Sequence, residues 1–472
     1  MNMNRRDAMK MGALGVAAAA ATTVTGCSKE GAAPAEAPAS AASGKKVLGK
    51  HKVVIIGGGF GGLTVANNLM KKNKNLDVLV IEKNDTFMSC PVSNTYLGKL
   101  EGMELGTFVF DYAEPVQKYG YKMLKSEVVG INRDAKQIDT AHGIVEYDML
   151  VLSPGIAYDY KGQFPTWSNE KIAEVSRTAP GALIPGSEHI ALERQLKNMD
   201  DGDVIITVPA GKFRCPPAPF ERACMIAAYM KKEDIAGKVI ILNPSNAIAK
   251  GAAFKEAWSE LYGDKIEHID FAKITDVDPK SKTVSYTQQI PTGKKDEDDF
   301  EIMRSENKTQ AYEVLNLIPT NKANPVVQMA GIKTTKDAFH KVLMNGCTFQ
   351  TLSDADVYAV GDVVGHAIPP SGQTAVWAGK QCAAEITARL AGKTYELPVQ
   401  TKTVNAGNVC YSMVGDNPEE GIMVTHDFSW TGKTIKGKGH VPKDAKTGKF
   451  RSKGTAKALR DWYLGITADL FS

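Results

Sequence analysis

The sequence predicts an α/β protein built from two Rossmann-like three-layer halves, and three observations predict it. The first is an apolar run of strand length, Val53-Val54-Ile55-Ile56, entering the glycine-rich loop Gly57-Gly58-Gly59-Phe60-Gly61-Gly62. The second is a similar run, Val204-Ile205-Ile206-Thr207-Val208, that continues instead as Pro209-Ala210-Gly211-Lys212-Phe213-Arg214-Cys215-Pro216-Pro217. The third is length: 472 residues exceed what one core organises, so two or three domains are expected. A pyrophosphate cradle needs glycines, because backbone N–H groups must approach the phosphates at a helix N-terminus. The proline-rich second loop cannot form one. The chain is therefore expected to bind one dinucleotide, and to carry a thiol where a nicotinamide donor would enter.

Composition narrows the rest. The balance of 57 basic and 53 acidic residues, net +4, is too weak to argue for nucleic acid or an anionic membrane. After the N-terminus no apolar run is long enough to cross a bilayer. Seven cysteines (Cys27, Cys90, Cys215, Cys224, Cys347, Cys382 and Cys410) are too few for a disulfide scaffold, and the odd number leaves at least one modified, reactive or simply buried. No metal site is predicted.

Arg5-Arg6-Asp7-Ala8-Met9-Lys10 followed by the apolar Met11 to Val24 reads as a secretory signal of the twin-arginine type, which predicts an exported, periplasmic protein. Val24-Thr25-Gly26-Cys27 resembles a bacterial lipoprotein box, so residues 1–27 are read as the signal and Cys27 as a possible lipid anchor; ordinary cleavage near Ala20 is the alternative. Residues 28–50 are rich in Ala, Pro, Ser and Gly without periodicity, as a disordered tether would be.

Next comes a βαβ unit. Lys52 to Ile56 is a strand, Leu63 to about Lys71 an amphipathic helix, and Val78 to Ile81 a strand ending at Glu82. Gly57, Gly59, Gly61 and Gly62 suit the phosphate loop and Glu82 the ribose hydroxyl. Two later segments favour FAD over NAD. Tyr147 to Gly155 is a buried strand ending in a tight turn with Ser153 and Gly155, and Val357 to Asp362 is a strand ending in Gly361-Asp362. The latter is similar to the strand of disulfide-reductase-like flavoproteins that ends beside the ribityl chain; the resemblance implies that Asp362 accepts a ribityl hydroxyl. Gly372 and Gln373 open a helix whose N-terminus would stabilise a reduced isoalloxazine.

Three segments are specific. Ser89-Cys90-Pro91-Val92-Ser93-Asn94, Phe213 to Arg222 around Cys215 and Glu221, and Asn408-Val409-Cys410-Tyr411-Ser412 resemble the flavoprotein subunit of flavocytochrome c sulfide dehydrogenase, from about His51 to the C-terminus. That resemblance implies FAD bonded covalently to Cys90, a Cys215–Cys410 redox disulfide above the ring, and Glu221 as its acid/base. It also implies a small C-terminal α+β domain from about Thr401. Cys215 with Cys224 is the rival pairing, and an Arg222 salt bridge or a helix-start charge the plainer role for Glu221. Arg214 is expected to favour a Cys215 thiolate. Cys347 and Cys382 are read as structural.

The domains expected are residues 51–190 with 320–400 for FAD, 191–319 for a second Rossmann-like domain, and 401–472 for the C-terminal domain. Val314 to Pro319 resembles the crossover between the first two, Lys294 to Asp299 a solvated tip, and Ala456 to Phe471 an amphipathic helix packed on the body. The function expected is sulfide oxidation to sulfur or polysulfide, with electrons leaving through FAD to a c-type cytochrome. The chain has no Cys-x-x-Cys-His haem site, so the haem would be on that partner. The alternatives are a sulfide:quinone oxidoreductase, or an electron-transfer flavoprotein acting on another sulfur compound.

Overall fold

The computed structural model describes residues 44–365, 368–395, 403–430 and 435–472. The twin-arginine signal, Cys27 and most of the expected tether lie outside the described residues. Residues 47–50, expected within the tether, are strand instead, because β1 (Val47–Ile56) begins at Val47 and pairs with residues from Ile144 onward.

β1 leads into helix α1 (Phe60–Lys72), then β2 (Val78–Glu82). With β3 (Gly143–Leu152) they form the centre of the first sheet, whose order is Lys122–Lys125, β2, β1, β3, Gln137–Thr140, Val128–Asn132. The central pairs are parallel, as crossover helices require, and the last two strands return as antiparallel hairpins. The apolar run Val53 to Ile56 is fully buried between layers, which is why it shows no period-2 alternation.

The second sheet is all parallel. It contains β4 (Val204–Thr207), β5 (Val239–Leu242), β6 (Ile266–Ile269) and β7 (Val314–Asn316), in the order β6, β5, β4, β7. Helix α2 (Ala218–Lys232) follows β4 through the proline loop and is buried along most of its length. Val314 to Asn316, expected as part of a crossover, is instead one of the two edge strands of this sheet. The boundary expected at residue 190 cuts through the helix Ser187–Asn198, whose His189, Leu192 and Leu196 are buried; residues 42–472 form one compact unit.

A three-stranded antiparallel sheet, Ala272–Asp278, Thr283–Lys295 and Glu301–Ala311, extends from the second half. The chain then returns to the first sheet as β8 (Val357–Ala359), which pairs with β3, and continues into helix α3 (Gly372–Leu390). The C-terminal part is an antiparallel sheet of β9 (Thr403–Asp416), β10 (Glu419–Trp430) and β11 (Ile435–His440), followed by helix α4 (Lys453–Phe471). α4 buries Leu459, Tyr463, Ile466, Leu470 and Phe471 against the body, so its apolar face is core.

Candidate functional site

One cavity of ≈ 840 Å³ runs from the glycine loop to a cluster of three cysteines. At its first end, Gly57 has φ +106°, and a Cβ added there would stand 2.2 Å from the Ser153 carbonyl oxygen. Only glycine lets β1 turn this closely over β3. Gly62 does not line the cavity. It packs on the loop from behind, where a Cβ would lie 2.0 Å from Gly57 O. α1 begins after Gly59 with no side-chain cap and no acid in its first turn, while Lys71 and Lys72 occupy its last. That leaves its N-terminal N–H groups and positive dipole end for an anion. Glu82 accepts a hydrogen bond from Gly58 N at 2.8 Å and lines the cavity beside the loop.

The middle of the cavity is lined by Ser153, Gly155, Gly361 and Asp362 from the ends of β3 and β8, as two parallel strands ending together dictate. Asp362 is ion-paired with Arg214 (Nε to Oδ2, 3.3 Å), which ties the second-half loop to the first sheet. Gly372 and Gln373 line the cavity at the start of α3, whose cap is Ser371 accepting from Thr374 N at 3.1 Å. Trp462 of α4 donates from Nε1 to Gln373 Oε1 at 3.0 Å and also faces the cavity. Glycine loop, carboxylate, strand-end aspartate and helix start thus follow one another along a trough, and these residues fit an extended dinucleotide such as FAD. Pro209 to Phe213 of the second half line neither this cavity nor the smaller one beyond it.

The far end carries the sulfur groups. Cys90, Cys215, Cys410 and Glu221 all line it, although Cys90 and Cys410 stand at opposite ends of the sequence. All six cysteines among the described residues are free thiols. Cys215 occupies the left-handed backbone region (φ 52°) in the turn before α2, with its N–H on Pro370 O at 3.1 Å. Cys224 lies inside α2, 0 % exposed in the core with a thiol pushed up by burial, and lines neither cavity. Cys382 is buried in α3 and Cys347 half-buried, both away from the cavity.

Burial pushes the Glu221 carboxyl up to about 7, against the opposing pull of Lys250, the Met413 N–H (3.2 Å), Asn94 and Ser412. The three motif segments therefore meet at this carboxyl: Asn94 from the first, Glu221 from the second, Ser412 from the third. Glu221 makes no salt bridge with Arg222. The Arg222 side chain turns into the core, 1 % exposed, donating to Asn94 Oδ1, Asn316 Oδ1 and the carbonyls of Gly181 and Ala182.

The thiolate does not fall where the sequence suggested. A hydrogen bond from Cys215 first, then the Arg214 and Arg222 guanidinium groups, hold the Cys90 thiol below its ordinary value despite burial. Cys215 is driven well above its own value by that same hydrogen bond and by burial. The Arg214 charge thus serves Cys90, because the turn that presents Cys215 brings the two sulfurs together. Burial also raises the Cys410 thiol, against the pull of Lys250.

Lys250 lies beside Cys410 at this end, and sequence reasoning missed it. Its surroundings in the chain, Ala247-Ile248-Ala249-Lys250-Gly251, carry no motif. It is 8 % exposed, in the left-handed region (φ 61°), and its Nζ donates to Cys410 O at 2.9 Å and Ser412 Oγ at 2.8 Å.

Comparison with known proteins gives the same picture. Residues 51–177 match the pyridine nucleotide-disulphide oxidoreductase family. Residues 189–295 match the central domain of the sulfide dehydrogenase (flavocytochrome c) flavoprotein chain, and residues 403–471 its flavin-binding domain. A mitochondrial sulfide:quinone oxidoreductase of Dictyostelium discoideum is 23 % identical over 67 % of this chain and 66 % of its own length. The sulfide-quinone reductase of Aquifex aeolicus is 25 % identical over 70 % of this chain and 72 % of its own. The chain thus spans about two thirds of the curated relatives it matches. The crystal structure of an Aquifex aeolicus sulfide:quinone oxidoreductase superposes with a TM-score of 0.64 at 18 % identity, covering 89 % of this chain and 92 % of that one.

Proposed function

We propose that this chain, which is related to the flavoprotein subunit of flavocytochrome c sulfide dehydrogenase, is an exported FAD enzyme that oxidises sulfide and passes the electrons to a c-type cytochrome. The observation that carries this reading is the convergence of Cys215, Cys410 and Glu221 at one end of the dinucleotide cavity. When bound, FAD supplies a two-electron acceptor there.

The residues supply the sulfur chemistry. In the oxidised enzyme Cys215 and Cys410 share a disulfide. Hydrosulfide attacks one of its sulfurs, forming a new S–S bond and breaking the old one. One cysteine then holds a persulfide, and the other leaves with the bonding pair as a thiolate. A second hydrosulfide removes the outer sulfur as hydrodisulfide, leaving both cysteines reduced. Re-forming their disulfide releases the two electrons that the flavin accepts. The net half-reaction is two hydrosulfides to one hydrodisulfide monoanion, one proton and two electrons. Glu221, with its pKa near neutrality, takes and returns that proton. Cys90, the thiol held below its ordinary value at the cavity wall, is the attachment point for the flavin.

A quinone acceptor is the second reading, favoured by the sulfide:quinone oxidoreductases among the relatives. Against it, α4 turns its apolar face inward and exposes Leu464 (62 %) as its one large apolar side chain. The test is an anaerobic titration of the mature protein with sulfide, following the flavin visible band, with NADH as control. Bleaching by sulfide and none by NADH is the expected result. Bleaching by NADH alone refutes the proposal.

A further inference from the structure

A smaller cavity of ≈ 190 Å³ adjoins the dinucleotide cavity and shares only Cys215, Ser371 and Cys410 with it. The cysteine pair is therefore a partition with a chamber on each side. The small chamber is walled in part by Pro216, Pro217, Pro369 and Pro370, which carry no N–H and fix its shape. Its polar lining comes from Lys250, His426, Asn408 and Ser371.

The lining is otherwise mostly apolar, so these few polar groups decide what the chamber can hold. Two Lys250 hydrogen bonds, to Cys410 O and Ser412 Oγ, fix the ammonium beside Cys410, and a further contact reaches the Cys410 side chain. Asn408 Nδ2, which can only donate, lies 3.1 Å from His426 Nδ1, and Asn408 Oδ1 lies 3.0 Å from Ser371 Oγ. That order assigns the imidazole proton to Nε2. Burial first, then the Lys250 charge, hold the His426 imidazole below its ordinary value, against the pull of Asp427. The chamber thus combines a fixed cation, an imidazole N–H donor and two sulfurs.

We propose that this chamber is the binding site for the sulfur anion, hydrosulfide or a short polysulfide chain, with Lys250 holding its charge beside Cys410 and His426 donating from Nε2. The proposal rests on the sulfide-oxidising reading above and adds to it. The substrate meets the cysteine pair from the small chamber, while the dinucleotide cavity stays with the flavin, and Lys250 is a positioning residue for the attack.

The test is stopped-flow flavin reduction in the full-length holoprotein under anaerobic conditions, with sulfide as one reductant and tris(hydroxymethyl)phosphine, which attacks a disulfide as an uncharged nucleophile and leaves as its oxide with water, as the other. Lys250→Gln is expected to raise the half-saturating sulfide concentration by about ten- to a hundred-fold, the weight of one hydrogen bond to a charged group. The half-saturating phosphine concentration should stay within about three-fold, because an uncharged nucleophile does not use the cation in binding. Lys250→Arg should restore most of the sulfide affinity. An equal loss with both reductants, or no change with sulfide, overturns the proposal and leaves the sulfide reading standing; a wild type that sulfide does not bleach removes both. Should Lys250→Gln not fold with flavin bound, His426→Leu serves instead. It should raise the half-saturating sulfide concentration about three- to ten-fold, as loss of a neutral donor predicts, and an unchanged value overturns the assignment.

Discussion

Replacing Glu221 with Gln isolates one proton. Gln reproduces the protonated carboxyl in size and can still accept the Met413 N–H, so the variant differs from wild type only where Glu221 ionises. The carboxyl has an ordinary value of 4.5 and is pushed up to about 7 by burial. The native state therefore holds a proton that the unfolded state has released between those limits. Wild-type stability attributable to this group is fully present below about pH 4.5 and is lost as pH rises to about 7. At about 1.4 kcal/mol per pKa unit the loss is about 3 kcal/mol above pH 7. Glu221→Gln should match wild type at pH 4.5 and exceed it by about 3 kcal/mol at pH 8, read from guanidinium unfolding followed by circular dichroism. The same variant should reduce flavin with sulfide about a hundred-fold more slowly and lose the ionisation near pH 7 from its rate profile. A stability difference that does not change between pH 4.5 and 8 would refute the buried, proton-holding carboxyl, and with it the acid/base role.

Further perturbations test the other parts of the site. Cys90→Ser should release its flavin on acid precipitation while wild type retains it in the pellet; free flavin from wild type would exclude the covalent link. Gly57→Ala should yield protein with little or no flavin, because the new Cβ meets Ser153 O at 2.2 Å and the backbone there is left-handed; a normal flavin-to-protein absorbance ratio contradicts this. Cys224→Ala should keep sulfide-dependent flavin reduction within about three-fold of wild type, as a small core substitution does, whereas Cys410→Ser should abolish it. The reverse pattern would point to the Cys215–Cys224 pairing.

Much of this protein was legible in its sequence. The glycine loop, the buried strand at Val53 to Ile56, the acid at Glu82 and the strand from Val357, which ends at Ala359 just before the Gly361-Asp362 turn and not at Asp362, are local patterns, and local patterns reflect backbone geometry that a few neighbouring residues decide. Cys90, Cys215, Glu221 and Cys410 also stood out, because their surrounding segments are distinctive. The first four strand residues from Val47 did not, since Ala-, Gly- and Lys-rich flanks read as linker until β3 pairs with them. Other features required the fold. Lys250 and Cys410 are 160 residues apart and have no shared periodicity; only the packing of the β9 segment on the second half brings the ammonium to that sulfur. The proximity of Cys215 to Cys90, which moves the favoured thiolate to Cys90, depends on a left-handed turn at a residue other than glycine. The pKa of Glu221 is likewise a property of its burial, which no spacing encodes. Sequence alone thus determined which chemical groups the chain carries and the strands and helices that carry them. The tertiary structure decided which groups share a dry space, because desolvation and charge act across distances in space that are not distances along the chain.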